Sequence, residues 1–138
     1  MSGERVVADT SVLIDLAAGD KSAAIALNGL QIHVSIITCI EFLAWPKLTE
    51  PGLASATALL DQYNTEDIGR AIRDYSAWLK RTYKLKLPDA VIAATAKNLN
   101  IPLLTRDKGF NPEYAAGLLL RPEIAAAASV SLAFLSSQ

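Results

Sequence analysis

The stretch 87-LPDAVIAATAKNLNIPLLTRD-107 decides the fold. It reads as helix, turn and strand, with a carboxylate near each end. Pro88 suits a first helical turn, where its missing N–H would be unpaired anyway. Asp89 sits beside it, in a turn that favours negative charge. VIAATAKNL continues as an Ala-rich helix with Lys97 as its one charged residue. Asn98, Asn100 and Pro102 close it, since Asn tolerates a left-handed turn and Pro cannot extend a helix. IPLLT is a short apolar run of the kind that forms a buried parallel strand. Asp107 follows directly, in the turn RDKGF. Parallel α/β sheets bind ligands at the carboxyl ends of their strands. One acid therefore opens a helix, another leaves a strand, and both can serve one site.

Working outward, the N-terminus repeats the strand–acid layout. VVA at 6–8 runs into Asp9, and Thr10 and Ser11 supply helix-start hydroxyls before VLIDLAA, which Gly19-Asp20 breaks. KSAAIALNGL is a second helix ending at Asn28-Gly29. QIHVS at 31–35 reads as a strand, ITCIEFLAW at 37–45 as an apolar helix stopped or kinked by Pro46, and Pro51 to Gln62 as a helix. Thr65 is placed as the cap of a long helix from Glu66 to about Tyr83. Its Ile68, Ala71, Ile72, Tyr75, Leu79 and Tyr83 form an amphipathic stripe. A last strand is expected near Gly117–Leu120, and the tail 122–138 is Ala-rich and apolar, either covering the sheet or meeting a partner. Strands alternating with helices predict an α/β fold, a parallel sheet with helices on both faces.

With 138 residues the chain is read as a single domain, 1–138. Hydrophobic residues are 51% and charged residues 20%, which excludes a disordered chain. The formal net charge of −1 rules out nucleic-acid binding by bulk charge, so such contact needs a local patch. A single cysteine, Cys39, permits no intrachain disulfide and fits a reducing compartment. No signal-peptide core opens the sequence and no run is apolar for the ~20 residues of a membrane helix, so the expectation is a soluble, cytoplasmic protein.

Four acids stand out: Asp9 and Asp107 after strands, Asp89 at a helix start, and Glu41 inside an apolar helix. Each has a plainer reading. Asp9 fits a helix cap, Asp89 complements a helix dipole, and Asp107 with Lys108-Gly109 makes a turn. Thr38 and Glu41 have the spacing of a capping box, which starts that helix near Ile40. Glu41 fits its plain reading worst. Ile37, Ile40, Phe42, Leu43 and Trp45 flank it, and a buried unpaired carboxylate costs several kcal/mol. A nearby cation removes that cost. Three further carboxylates also remove it, provided that they share a metal; without one, the cluster repels itself. An all-oxygen set, with hydroxyls at Ser11 and Thr105, selects Mg²⁺ or Mn²⁺, one ion or two, over zinc. Such an ion serves phosphate chemistry.

Other chemistries are set aside. His33 fits an alternating strand as a packed residue, and a single histidine excludes a two-imidazole nuclease. Cys39 lies among core residues. No Gly-rich Walker loop is present. Asp15 reads as a solvated or supporting group. Lys80, Arg81, Lys84 and Lys86 lead into Asp89, and Arg106 and Lys108 bracket Asp107. They form either a solvated helix end or, with Lys86, Arg106 and Lys108 foremost, a grip on a phosphate backbone.

VVADTSVLIDL at 6–16, SIITCIEFLAW at 35–45 and LPDAVIAATAKNLNIPLLTRDKGF at 87–110 together resemble a PIN domain. Within that family they look most like the VapC toxins of bacterial toxin–antitoxin pairs. The resemblance implies a three-layer fold, a four- to five-stranded parallel sheet flanked by helices. It puts the family's acids on Asp9, Glu41, Asp89 and Asp107, as catalytic groups and metal ligands, with supporting hydroxyls at Ser11 and Thr105. It implies Mg²⁺- or Mn²⁺-dependent endoribonuclease activity with a water nucleophile, an RNA substrate, a small inhibiting antitoxin and a homodimer. Pro46 shortens the Glu41 helix relative to many relatives, Asn100 stands where many have Gly, and the tail beyond Leu120 is longer than the domain needs. The alternatives are a non-toxic PIN nuclease of RNA processing, an inactive RNA- or protein-binding PIN module, and an aspartate-nucleophile phosphatase. Ser11 argues against the last, because that chemistry uses a second Asp two residues after the first.

Overall fold

Strands and helix pairs alternate along the chain. The structure, a computed structural model, describes residues 4–106. Strand β1 (Arg5–Ala8) leads to α1 (Thr10–Ala17) and α2 (Lys21–Leu27), then β2 (Gln31–Ser35) to α3 (Ile36–Leu43) and α4 (Glu50–Asp61). Next, β3 (Asn64–Glu66) leads to α5 (Arg70–Tyr83) and α6 (Leu87–Leu99), which return to β4 (Leu103–Leu104). The four strands lie in the order β3-β2-β1-β4, every pairing parallel. The chain builds outward from β1 to β3 and then crosses back to the other side of β1. Strand order therefore reverses between β1 and β4, and at such a switch point the loops leaving two neighbouring strands diverge and open a crevice.

Side-chain alternation along the strands sorts the core into two layers. Val7 and Leu103 face α5 and α6, packing with Ile72, Leu79, Val91 and Ile92. Val6, Ala8, Ile32, Val34 and Leu104 face the other four helices, against Leu13, Leu27, Phe42 and Leu60. Helix α6 is enclosed all round: residues 90–96 are all buried. Its alanines let the backbone approach both the sheet and α5. The Thr95 hydroxyl is satisfied inside the helix, donating to the Val91 carbonyl at 2.8 Å. Asn100 ends α6 in the left-handed conformation, φ 56°, as its sequence suggested.

Three expectations need correction. The long helix does not begin at Glu66. Residues 64–66 form the edge strand β3, and α5 starts after Gly69. The strand is fixed by tertiary contacts: it pairs with β2, and the Glu66 carboxylate reaches His33 Nδ1 at 2.9 Å. Ile68, placed in the apolar stripe, is consequently 44% exposed. Helix α3 is capped by Ser35, whose hydroxyl accepts from the Ile37 N–H. Thr38 and Glu41 thus lie inside it and form no capping box. Its helical residues also end at Leu43, short of Trp45. The expected strand near Gly117–Leu120 and the tail 122–138 lie outside the described residues.

Candidate active site

Asp9 leaves the carboxyl end of β1 at the switch point and is only 3% exposed. It occupies the cap position of α1, yet its side chain makes no capping bond. Its Oδ2 instead accepts two hydroxyl protons, from Ser11 Oγ at 2.8 Å and Thr105 Oγ1 at 2.6 Å. Ser11 accepts in turn from the Arg106 backbone N–H at 3.2 Å. The cap reading of Asp9 is thereby set aside. Its carboxylate is gripped from the start of α1 and from the end of β4, by the two hydroxyls that stood out in the sequence.

Glu41 is half-buried on α3. Its sequence neighbours do not enclose it, for Ile40 is 57% exposed. Its Oε1 accepts from the buried Thr10 hydroxyl at 2.7 Å, and Thr10 Oγ1 also lies 3.2 Å from Thr38 Oγ1. One hydroxyl proton cannot serve both. The carboxylate is the closer and stronger acceptor, so the Thr10 proton goes to Glu41.

Asp89, half-buried in the first turn of α6, lines the same cleft as Asp9 and Glu41. The cleft measures about 520 Å³, and Ser11, Lys86, Trp45 and Pro46 complete its rim. Three carboxylates from three separate elements thus meet one opening. Asp107 and Lys108 lie outside the described residues.

Arg106 does not face the cleft as a free cation. Its Nη1 donates to Asp15 Oδ2 at 2.7 Å and to Asp20 Oδ2 at 2.8 Å, and its Nη2 to Ser22 Oγ at 2.7 Å. The Ser22 and Arg106 hydrogen bonds hold the Asp20 carboxyl down to about 2. His33 is a buried bridge across the sheet: Arg5 Nε donates to its Nε2 at 3.1 Å, which leaves Nδ1–H for Glu66. The Cys39 thiol is pushed up by burial and lies 3.9 Å from Thr65 Oγ1.

Thr10 and Trp45 line the cleft without having had a functional reading in the sequence. Thr10 passed as a helix-start hydroxyl, and Trp45 as an apolar helix residue. Only the offset of Thr10 from Asp9 signalled the first, and nothing local signalled the second.

The donor set is all carboxylate and hydroxyl oxygen, which suits a hard divalent cation and not zinc. Among the described residues no group of three or more Asp, Glu, His or Cys side chains is placed to hold a metal ion. That still fits Mg²⁺, which keeps several waters and takes one or two carboxylates together with substrate phosphate oxygens.

Fold and site define a doubly wound α/β protein with an acidic cleft at its switch point. A family model for the PIN domain matches residues 6–112. This chain belongs to the PIN domain family, a family of nucleases. Among solved structures it is similar to a toxin–antitoxin complex from Klebsiella pneumoniae, at 35% identity over 75% of this chain and 87% of that one, with a TM-score of 0.69. It is also similar to FitAcB from Neisseria gonorrhoeae, at 20% identity over 75% and 88% of the two chains, TM-score 0.64. VapBC2 from Rickettsia felis, solved with a promoter DNA fragment, matches at 17% identity over 84% and 96%, TM-score 0.64. The last two show the shared fold. No curated protein matches the chain significantly. Among the described residues no helix is long and apolar enough to cross a membrane.

Proposed function

We propose that this chain is a Mg²⁺- or Mn²⁺-dependent endoribonuclease and the toxin of a toxin–antitoxin pair. It acts in the cytoplasm as a homodimer and is restrained by a small antitoxin protein. The carrying observation is the convergence of Asp9, Glu41 and Asp89, from β1, α3 and α6, on one open cleft. Family membership and the 35% identical toxin–antitoxin relative support the toxin reading.

Of Asp9, Glu41 and Asp89, with Asp107 as the fourth acid, one or two carboxylates would bind the cation directly and the others would hold it through its waters. When bound, it neutralises the phosphate and lowers the pKa of an attacking water. The chain's own groups do the rest. Ser11 and Thr105 orient the Asp9 carboxylate, and Thr10 orients Glu41. Lys86 on the rim attracts the phosphate backbone, and Trp45 gives the cleft an aromatic wall beside which a base can settle.

The test is cleavage of defined RNAs by purified protein with Mn²⁺, Mg²⁺ or chelator, beside the Asp89→Asn form. Wild type is expected to cut only with the cation, and Asp89→Asn to lose at least about 100-fold in rate, as loss of a group contacting the reacting centre does. Cleavage that persists in chelator removes the metal reading. In cells, wild-type expression alone should arrest growth while Asp89→Asn does not; equal arrest by both sinks the toxin mechanism.

A further inference from the structure

Arg106 neighbours an acid in sequence and looks like a phosphate-binding cation, but its side chain is turned away from that task. The side chain is 12% exposed and its guanidinium already makes three bonds, to Asp15 on α1, Asp20 in the α1–α2 turn and Ser22 on α2. Asp20 also caps α2 through the Ser22 N–H at 2.9 Å, so the acceptor side of this cluster is itself fixed. On the other side of the same residue, the Arg106 N–H holds Ser11, and its chain neighbour Thr105 donates to Asp9. Both hydroxyls end on a single oxygen, Asp9 Oδ2.

We infer that Arg106 is a positioning residue: its clamp on Asp15, Asp20 and Ser22 holds the end of β4 so that Thr105 and Ser11 fix the Asp9 carboxylate in the cleft. The physical need is plain. β4 contributes only Leu103 and Leu104 to the sheet, too short a pairing to set the residues beyond it. A carboxylate that rotates freely loses cation affinity and catalytic geometry together, because groups behind a metal ligand set its orientation. Arg suits the role and Lys does not, since the planar fork reaches several acceptors at fixed angles. This rests on Asp9 acting in the proposed nuclease site, but the clamp has its own readouts.

The experiment compares wild type with Arg106→Ala, Arg106→Lys, the Asp15→Asn/Asp20→Asn pair, and that pair combined with Arg106→Ala. In proton NMR, the buried Thr105 hydroxyl proton is expected as a slowly exchanging signal in wild type and to disappear in Arg106→Ala. Its persistence overturns the clamp whether or not RNA is cleaved. Mn²⁺ titration followed by calorimetry should show affinity lowered about 10- to 100-fold in both Arg106 variants. On RNA, kcat should fall by a similar factor while KM stays within about twofold, the pattern of a lost transition-state contact. The Asn pair should act in the same direction and add nothing on top of Arg106→Ala, since both break one unit. A raised KM with unchanged kcat and a shallower salt dependence would make Arg106 a phosphate ligand instead. Lowered thermal stability with full Mn²⁺ affinity and full kcat would make the cluster structural only. If wild type binds Mn²⁺ and loses that affinity on clamp mutation yet cuts no RNA, the nuclease reading fails and the clamp stands.

Discussion

Thr10 shows how much of this site depends on hydroxyl protons. It is 8% exposed, and its proton is the one that a half-buried Glu41 receives. Thr10→Val keeps the shape and removes the donor. It should cost about 0.5–1.5 kcal/mol in chemical denaturation, the net worth of one such bond. It should also lower the cation-dependent cleavage rate about tenfold, as loss of support behind a ligand does. Thr10→Ser should retain both properties; loss in the Ser form equal to that in Val would show that the methyl group, and not the hydroxyl, matters. On the rim, Lys86 is exposed and capable of meeting phosphate. Lys86→Ala should weaken RNA binding and reduce the slope of log affinity against log salt by about 1, read from binding titrations between low and moderate salt. The three acids that line the cleft could be picked out in the sequence by their settings, Asp9 at a strand end, Asp89 at a helix start and Glu41 amid apolar residues. The partners were less legible. Ser11 lies two residues from the acid it grips, whereas the links from Thr105 to Asp9 and from Thr10 to Glu41 each join separate elements. Arg106 was legible as a charge but not in its direction, since only the α1–α2 turn decides where a long side chain ends.

At the level of elements, α6 carries the fold. It is covered by the sheet on one side and α5 on the other, and Ile92 within it is fully buried. Ile92→Ala should cost about 2–5 kcal/mol, and Ala93→Leu about 1–3 kcal/mol through overpacking; both are measurable as midpoint shifts in urea at unchanged slope. Asn100→Gly should leave stability unchanged or slightly raised, because φ 56° suits glycine, while Asn100→Val should destabilise. The same helix was the most legible part of the sequence: Pro88, the alanine run and Asn100 all pointed one way. Elements with local signals at both ends, such as α2 and β2, were equally plain. β3 was not. Three residues carry no periodicity, and Thr65 followed by acids is good helix-start chemistry. The parallel pairing to β2 and the Glu66–His33 bond overrode that local preference, and neither is visible without the sheet.

For the whole molecule, the α1–α2 turn and the end of β4 are joined by charge as well as by packing, so stability should respond to acid there. Asp20 has its pKa lowered from 3.8 to about 2, first by the Ser22 side chain and then by Arg106. A carboxyl with a depressed folded-state value binds fewer protons folded than unfolded, so it stabilises above the unfolded value and loses that contribution as pH falls through the folded one. The window is therefore about pH 4 down to 2, with little effect above it. Both acid partners of Arg106 are more than a third exposed, so salt screens the contribution and its size is small. Thermal melts at steps from pH 5 to 2 in low salt should show wild type losing midpoint more steeply than Asp20→Asn below pH 4, with the difference reduced in high salt as the Arg106 part is screened. Parallel curves across the whole range would show that the bonds of the Asp20 carboxylate to Ser22 and Arg106 are not coupled to folding. Near neutral pH the Asp20 carboxylate is then ionised, and the acid-sensitive contact it makes lies on the residue whose N–H holds Ser11 against Asp9.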